Sequence, residues 1–357
     1  MKKHLWLNNS LLFLIAVAIS LTLHFLHVLL PFMFGPIITG IICVRVLKLE
    51  VKWPSWIKLL GMILLGVQIG TTFTKSVIGD IKDDWLFIVL ITVLLIVLSL
   101  LIATLFKGIA RVNFQTAMLS VIPGALSQML LMAEEDKRAN LMIVSLTQTS
   151  RIIFVVILIP LISFLYSSPK EQNSAGAFVQ ASLTEVLSLH HVLIIGVCIA
   201  LVYVLMKKIH FPTKELLAPI IVLIGWNLTT NMTFALDNYI IAAAQVLYMI
   251  SIGVQIAHLL DQMKGRIAVA ITLQNVLLIL VTFIMVNIIS YFSNHDINNL
   301  FLSAAPGGVN QIVLVAMETG GDVAMISSYH IFRIFFILFI IAPLIQFILN
   351  KMAAQRR

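Results

Sequence analysis

Arg151 and Arg333 each stand alone inside a long apolar segment. A guanidinium at the centre of a bilayer costs roughly 2.5 to 3.5 kcal/mol on insertion scales, so each needs a partner. Ahead of each lies the same kind of break, Ile122-Pro123-Gly124-Ala125-Leu126-Ser127-Gln128 before Arg151 and Ala305-Pro306-Gly307-Gly308-Val309-Asn310-Gln311 before Arg333. Proline removes a helical N–H and clashes with the preceding turn, so neither stretch continues as one helix. Ser127 or Asn310 then stands where it could cap the returning segment and aim that segment's free amides and positive dipole end at a ligand. Such an end suits an anion. Gln128 and Gln311 add side-chain donors and acceptors beside it. Two readings of the arginines stay open: a carboxylate or similar anion gripped bidentately, or pairing with Glu135 and Glu318 or with backbone carbonyls at the breaks.

Other polar residues lie in apolar surroundings. Gln68 and Gln255 sit between glycines or small residues, where they could bond across helices or complete a site. His330 occupies the place that Gln148 has ahead of the first arginine, and it could carry a proton or simply bond a neighbour. Glu318 and Asp322 flank the second break, as Glu134, Glu135 and Asp136 flank the first; one of them could hold a proton or sodium ion, and solvation at an interface is the plainer role. The nine histidines are scattered, and the two cysteines, Cys43 and Cys198, both fall in apolar segments. No metal cluster, cofactor motif or nucleophile and base pair is legible, so an enzyme is not expected.

The elements that position these residues come in two sets. Gly66-Val67-Gln68-Ile69-Gly70 recurs as Gly253-Val254-Gln255-Ile256-Ala257, the two Pro-Gly motifs recur 183 residues apart, the arginine helices follow them with Pro160 and Pro343, and Gly35-Pro36-Ile37-Ile38 matches Ala218-Pro219-Ile220-Ile221. Landmarks in one order at nearly one spacing indicate a duplicated unit. Residues 1–166 form the first membrane repeat, residues 167–185 a polar linker, and residues 186–357 the second repeat. Each repeat has six apolar elements: near 11–30, 32–47, 57–73, 85–106, 116–135 and 139–166 in the first, and near 187–206, 215–230, 239–258, 267–292, 299–317 and 323–349 in the second.

Composition makes lipid the solvent. Of 357 residues 61% are hydrophobic and 11% charged, with mean hydropathy +1.07, and several uncharged runs of 18 or more residues can span about 30 Å of hydrocarbon as helices. Met1-Lys2-Lys3 before an apolar run with Ala16-Val17-Ala18 has the form of a secretory leader, but the run continues to Leu30 and is read as the first helix. A net charge of +8 would suit nucleic acid only if the basic residues shared one face of a soluble element. They lie between helices instead, as topology determinants. With the N-terminus inside and both broken elements re-entrant, 18 Lys and Arg fall on the cytoplasmic side and 3 outside; if both elements cross, the division is 12 to 9. The positive-inside rule selects the hairpins. Five crossings per repeat is an odd number, so the second repeat is inverted and both chain ends are cytoplasmic.

The expected fold is therefore an all-α integral membrane protein of two inverted repeats, each with five transmembrane helices and one re-entrant hairpin. Inverted repeats with discontinuous helices meeting at the midplane are the architecture of secondary transporters. The function expected is secondary transport of a small organic anion at a site formed by Pro123, Gly124, Ser127, Gln128, Arg151, Pro306, Gly307, Gly308, Asn310, Gln311, His330 and Arg333, with H+ or Na+ as coupling ion. Gln68, Gln255, Glu318 and Asp322 are coupling or structural candidates. The alternative is a membrane-embedded sensor that binds a metabolite in the same pocket and influences gene expression indirectly. The bacterial cytoplasmic membrane is the expected location, and a homodimer is a reasonable assembly.

At the paired Pro-Gly motifs and the arginine helix after each, the chain resembles the bacterial AbrB-type membrane protein family, which is defined by this duplicated unit. The resemblance runs over nearly the whole length, and its strongest marks are Pro306-Gly307-Gly308 with Gln311, Gly320-Gly321-Asp322 and Arg333. The first repeat departs from it, with Ala125 for the second glycine and Glu134-Glu135-Asp136-Lys137 before the last helix. The family carries two inherited labels, ammonia monooxygenase and regulator of gene expression. A copper oxygenase needs clustered ligands, and a DNA-binding regulator needs a soluble reading segment. Neither is found, whereas an indirect regulatory effect through a transported metabolite fits.

Overall fold

The computed structural model describes residues 2–124, 126–136, 138–166, 183–293 and 295–354, and its regular elements are helices. In chain order these are α1 (Lys2–Phe25), α2 (Pro31–Ile41), α3 (Ser55–Thr71), α4 (Lys75–Asp83), α5 (Trp85–Ala110), α6 (Phe114–Val121), α7 (Leu126–Glu135), α8 (Leu141–Tyr166), α9 (Leu183–Val186), α10 (Leu189–Lys208), α11 (Lys214–Thr230), α12 (Asn238–Gln262), α13 (Gly265–Phe292), α14 (Ile297–Ala304), α15 (Val309–Thr319), α16 (Val323–Phe336) and α17 (Ala342–Ala354). Single π turns extend α2 over Ile42–Val46 and join α16 to α17 over Ile337–Ile341. The second of these turns ends just before Pro343, whose missing N–H cannot close an ordinary helical bond.

Seven helices among the described residues are long and apolar enough to cross a membrane: α1, α5, α8, α10, α12, α13 and the continuous α16–α17 segment. The protein is thus a multi-helix membrane protein. Three elements expected as crossings are shorter. Pro31–Val46 is a short apolar helix, and α3 and α11 have 17 residues each, about 25 Å at 1.5 Å per residue. Beyond α3 the chain turns by 81° into α4, whose side chains are all at least partly exposed. Residues 167–182 of the expected linker lie outside the described residues; the short helix Leu183–Val186 runs from its end into the first residue of the second half.

Spatially the chain forms two compact units, and each draws on both halves of the sequence: Met1–Asp80 with Pro169–Asp261, and Ile81–Ser168 with Gln262–Arg357. In the first unit α1 packs on α2, and α11 packs on both α3 and α10. Glycines set these distances. A Cβ on Gly40 would stand 2.7 Å from the Gly253 backbone, and one on Gly253 would stand 2.7 Å from the Ile37 carbonyl oxygen. Asn227 donates to the carbonyls of Gly70, Thr71 and Phe73 at 3.2, 3.3 and 3.1 Å, closing the end of α3.

In the second unit α5 and α13 run antiparallel. The Arg266 side chain at the start of α13 donates to the Ile109 and Gly108 carbonyls at the end of α5. At the other end the His295 ring lies 4.6 Å from that of Phe87. Around this pair are α8, α16 and the two broken elements, α6–α7 and α14–α15.

Candidate functional site

Both broken elements turn back on themselves. Asn113 accepts from the Thr116 N–H at 2.8 Å, capping α6, and its amide donates to the Arg138 carbonyl beyond α7. Thr116 Oγ1 accepts from the Asn140 N–H at 2.8 Å. The second element repeats the scheme: Asp296 accepts from the Asn299 N–H at 2.8 Å, and Asn299 Oδ1 accepts from the Asp322 N–H at 2.8 Å. The beginning and end of each broken element are thus tied together, making it a hairpin. The arms hold 8 and 10 residues in the first and 8 and 11 in the second.

The arginines hold the hairpins at their turns. Arg151, 5% exposed, donates to the carbonyls of Ser120, Val121 and Ile122 at 3.2, 2.8 and 3.4 Å. Arg333, 1% exposed, donates to those of Ser303 and Ala305 at 2.6 and 2.7 Å. These are carbonyls that α6 and α14 lose as helical acceptors where proline stops them, and a charged donor satisfies them without water. One turn earlier, Gln148 donates to Leu119 and Ile122 at 2.7 and 2.9 Å and accepts from Arg151 at 3.1 Å. His330 Nε2 bonds the Leu302 carbonyl at 2.9 Å. Of the two readings left open for the arginines, hairpin carbonyls are the partners found. Among the described residues neither guanidinium is ion-paired, and each keeps a buried Nε–H with no partner.

Each hairpin turn also meets the arginine helix of the other half. Gly124, with φ +103°, would place a Cβ 3.3 Å from Arg333 Cδ and 3.3 Å from Ile337 Cδ1; a Cβ on Gly307 would stand 2.8 Å from Val155 Cγ1, one turn beyond Arg151. Glycine is required at Gly124 by the backbone angle and at Gly307 by the close approach. Pro123 and Pro306, both buried, sit at the ends of α6 and α14 where the turns begin.

The expected caps are corrected. Ser127 is the second residue of α7 and Asn310 the second of α15, so both lie inside the first turn rather than before it. Gly308 is the N-cap of α15 and provides no side chain; Gln311 folds back over it, its Oε1 2.6 Å from where a Gly308 Cβ would be. The two returning arms also differ. Nearly all of α15 is buried, including Asn310 and Gln311, whereas α7 leaves Leu126, Ser127, Leu131, Glu134 and Glu135 exposed and Gln128 half-buried. This asymmetry falls where the first motif departs from the second.

Asp322 is a cap, accepting from the Met325 N–H at 2.9 Å. Glu318 lies half-buried in the last turn of α15. Gln68 and Gln255 belong to the first unit, and the hairpin cradle is built without them. Gln68 Oε1 accepts from the Leu236 N–H at 2.9 Å, while Gln255 is half-buried in α12. Sequence reasoning gave no role to Gln148 beyond its alignment with His330, and none to Asn113 or Asn298. Asn298 is buried and accepts from Ser163 at 2.6 Å. The only signal they carry is a polar side chain in or beside an apolar run.

A membrane-helical unit with two hairpins pinned by buried arginines defines a class of membrane protein with discontinuous helices. Residues 32–349 match the family model described as transition state regulatory protein AbrB, so the chain belongs to the AbrB family. It is 26% identical over 294 residues to a Bacillus subtilis (strain 168) protein named "Uncharacterized protein YhjN", covering 80% of this chain and 76% of that one. It is 22% identical over 351 residues to an Escherichia coli (strain K12) protein named "Putative regulator AbrB", covering 96% and 97%.

Proposed function

We propose that this protein is a secondary transporter of a small organic anion in the bacterial cytoplasmic membrane. The observation that carries the reading is the pair of hairpins in one unit, each turn resting on the helix whose arginine holds the other. Arms of 8 to 11 residues reach about 12 to 17 Å, roughly half a hydrocarbon core. Two such hairpins entering from opposite faces bring their turns to the midplane. Non-helical backbone at that depth belongs where protein or a water-filled cavity surrounds it. Two buried cations that have no carboxylate partner among the described residues, each with its Nε–H unengaged, favour an anionic occupant.

In this reading the two halves are inverted repeats of five crossings and one re-entrant hairpin, both chain ends are cytoplasmic, and the protein is not an enzyme. Transport couples to H+ or Na+, and the assembly is a homodimer in the bilayer. Labelling of single cysteines from either side tests the topology: residues 136–140 are expected to react from the cytoplasm and residues 320–322 from outside, and reaction of both from one side would overturn the inversion.

A second reading, a membrane sensor that binds the same anion without moving it, is favoured by the name of the Escherichia coli relative, "Putative regulator AbrB". The deciding experiment pairs thermal stabilisation of the purified protein by a panel of small carboxylates with accumulation of the stabilising one in proteoliposomes. Stabilisation with accumulation supports transport. Stabilisation without it under H+ and Na+ gradients supports the sensor, and no stabilisation removes the anion from both.

A further inference from the structure

Among the described residues of the second unit, Gln274 is a buried side chain that neither the hairpins nor the arginines use. Gln274, in α13, is 2% exposed, and both its Nε2 and its Oε1 lack a hydrogen-bond partner. Its neighbour Asn275 donates to the Ile271 carbonyl at 2.9 Å and leaves its own Oδ1 unpartnered. A buried amide with neither side satisfied carries the desolvation cost of both its donor and its acceptor. It persists where something in the working protein completes it.

Helix register gives its depth. Asn287 of α13 donates to the Tyr166 hydroxyl of α8 at 2.8 Å, and the rings of Phe283 and Tyr166 stack at 5.7 Å. The other end of α8 begins beside the start of α6, through Asn140 and Thr116. Since α6 follows α5 across a short turn, and the end of α5 is bonded to the start of α13 by Arg266, α8 and α13 run in the same direction. At about 1.5 Å per residue, Gln274 is level with roughly residues 153–157 of α8. That stretch holds Val155, against which the Gly307 turn rests, and begins just after Arg151. Ser150 Oγ, Ser120 Oγ and Arg151 Nε, all buried and without partners, belong to this same layer.

Resting on the anion-transport reading above, we propose that Gln274 is a substrate-contacting residue and that the substrate is a small carboxylate carrying a hydroxyl or amino group. The argument is one of complementarity. The arginine Nε–H groups and the Gln274 amide N–H call for acceptors, which any carboxylate supplies. The Gln274 carbonyl calls for a donor, which an unsubstituted carboxylate lacks. A site that leaves a buried polar group unmatched discriminates strongly against the analogue missing its partner.

The test uses the detergent-purified full chain and matched probes, lactate against propionate and malate against succinate, with affinity read from thermal shift titrations. Wild type is expected to prefer the hydroxylated member of at least one pair by roughly tenfold or more. Gln274→Leu is expected to bind both members alike, at the affinity wild type has for the unsubstituted acid, with an unliganded Tm no lower than wild type. Gln274→Asn, which keeps the amide but shortens it, covers the case in which the leucine variant does not fold and is expected to weaken the preference. Equal affinities in wild type, or a preference that survives Gln274→Leu, would overturn the inference while leaving the anion reading intact. Absence of binding by all four acids would overturn both.

Discussion

At the scale of the residue, the arginines act first on backbone. Arg333→Leu takes the side-chain donor from the Ser303 carbonyl, at a cost of about 1–3 kcal/mol for a buried group left unpaired, and leaves the Ala305 carbonyl with the Gly307 N–H alone, at 2.9 Å. The variant is expected to lose several degrees of Tm in detergent, with Arg333→Lys intermediate because a single ammonium cannot reproduce the guanidinium fork. An unchanged Tm in Arg333→Leu would show that the carbonyl bonds contribute nothing to the fold. His330 offers a sharper separation of structure from chemistry. Its partner is one carbonyl, Leu302, and the Gln148 amide does the same work at the first hairpin. His330→Gln should therefore keep the wild-type Tm while His330→Leu lowers it. Retained ion-coupled uptake in His330→Gln would exclude this histidine as the proton carrier, and selective loss of coupling would establish it.

At the scale of the element, each hairpin closes at its base. Asn113 combines an N-cap for α6 with a tie to Arg138, so Asn113→Ala is expected to cost about 1 kcal/mol or more, measurable as faster proteolysis after Lys137 or Arg138 and a lower Tm. The loop that follows has a pH signature. Arg138 grips the Asp136 carboxylate at 2.8 and 3.0 Å, and that hydrogen bonding holds Asp136 below the ordinary carboxylate range. A carboxyl lowered in the folded state stabilises above its unfolded pKa, and the effect fades as pH falls through the folded value. The hairpin base is thus expected to keep its full contribution from neutral pH down to about pH 4 and to weaken below it. The same pH dependence of Tm in Asp136→Asn would rule out this pair as its source.

At the scale of the molecule, the spatial units cut across the sequence halves. Elements one to three of each half lie in one unit and elements four to six in the other, apart from the boundary near Asp80. Glycines show what this demands. A side chain on Gly253 would collide with the backbone of Ile37 and Pro36, whereas one on Gly196 meets nothing within 4 Å. Gly253→Leu is therefore expected to abolish the folded peak on size-exclusion chromatography, and Gly196→Leu to leave it in place, although both glycines stand in apolar helices of similar hydropathy. Equal yields would mean that the α2–α12 crossing tolerates separation.

That pair of glycines marks the division between what was legible and what was not. Hydropathy, the Pro-Gly breaks and the two lone arginines are local properties of the chain, and they were enough to identify a membrane-helical protein, its two broken elements and the helices that serve them. Lys and Arg placement pointed to hairpins because charge avoids hydrocarbon whatever the packing. Which atoms meet is a different matter, since it depends on how each helix is rotated and what crosses it. The arginine partners, the caps displaced from Ser127 and Asn310, the buried second arm against the exposed first, and Gln274 with both amide atoms unmatched were decided by tertiary structure alone. A lone polar residue in an apolar helix reads the same in sequence whether it meets a carbonyl, another side chain or no polar partner, and only packing decides which.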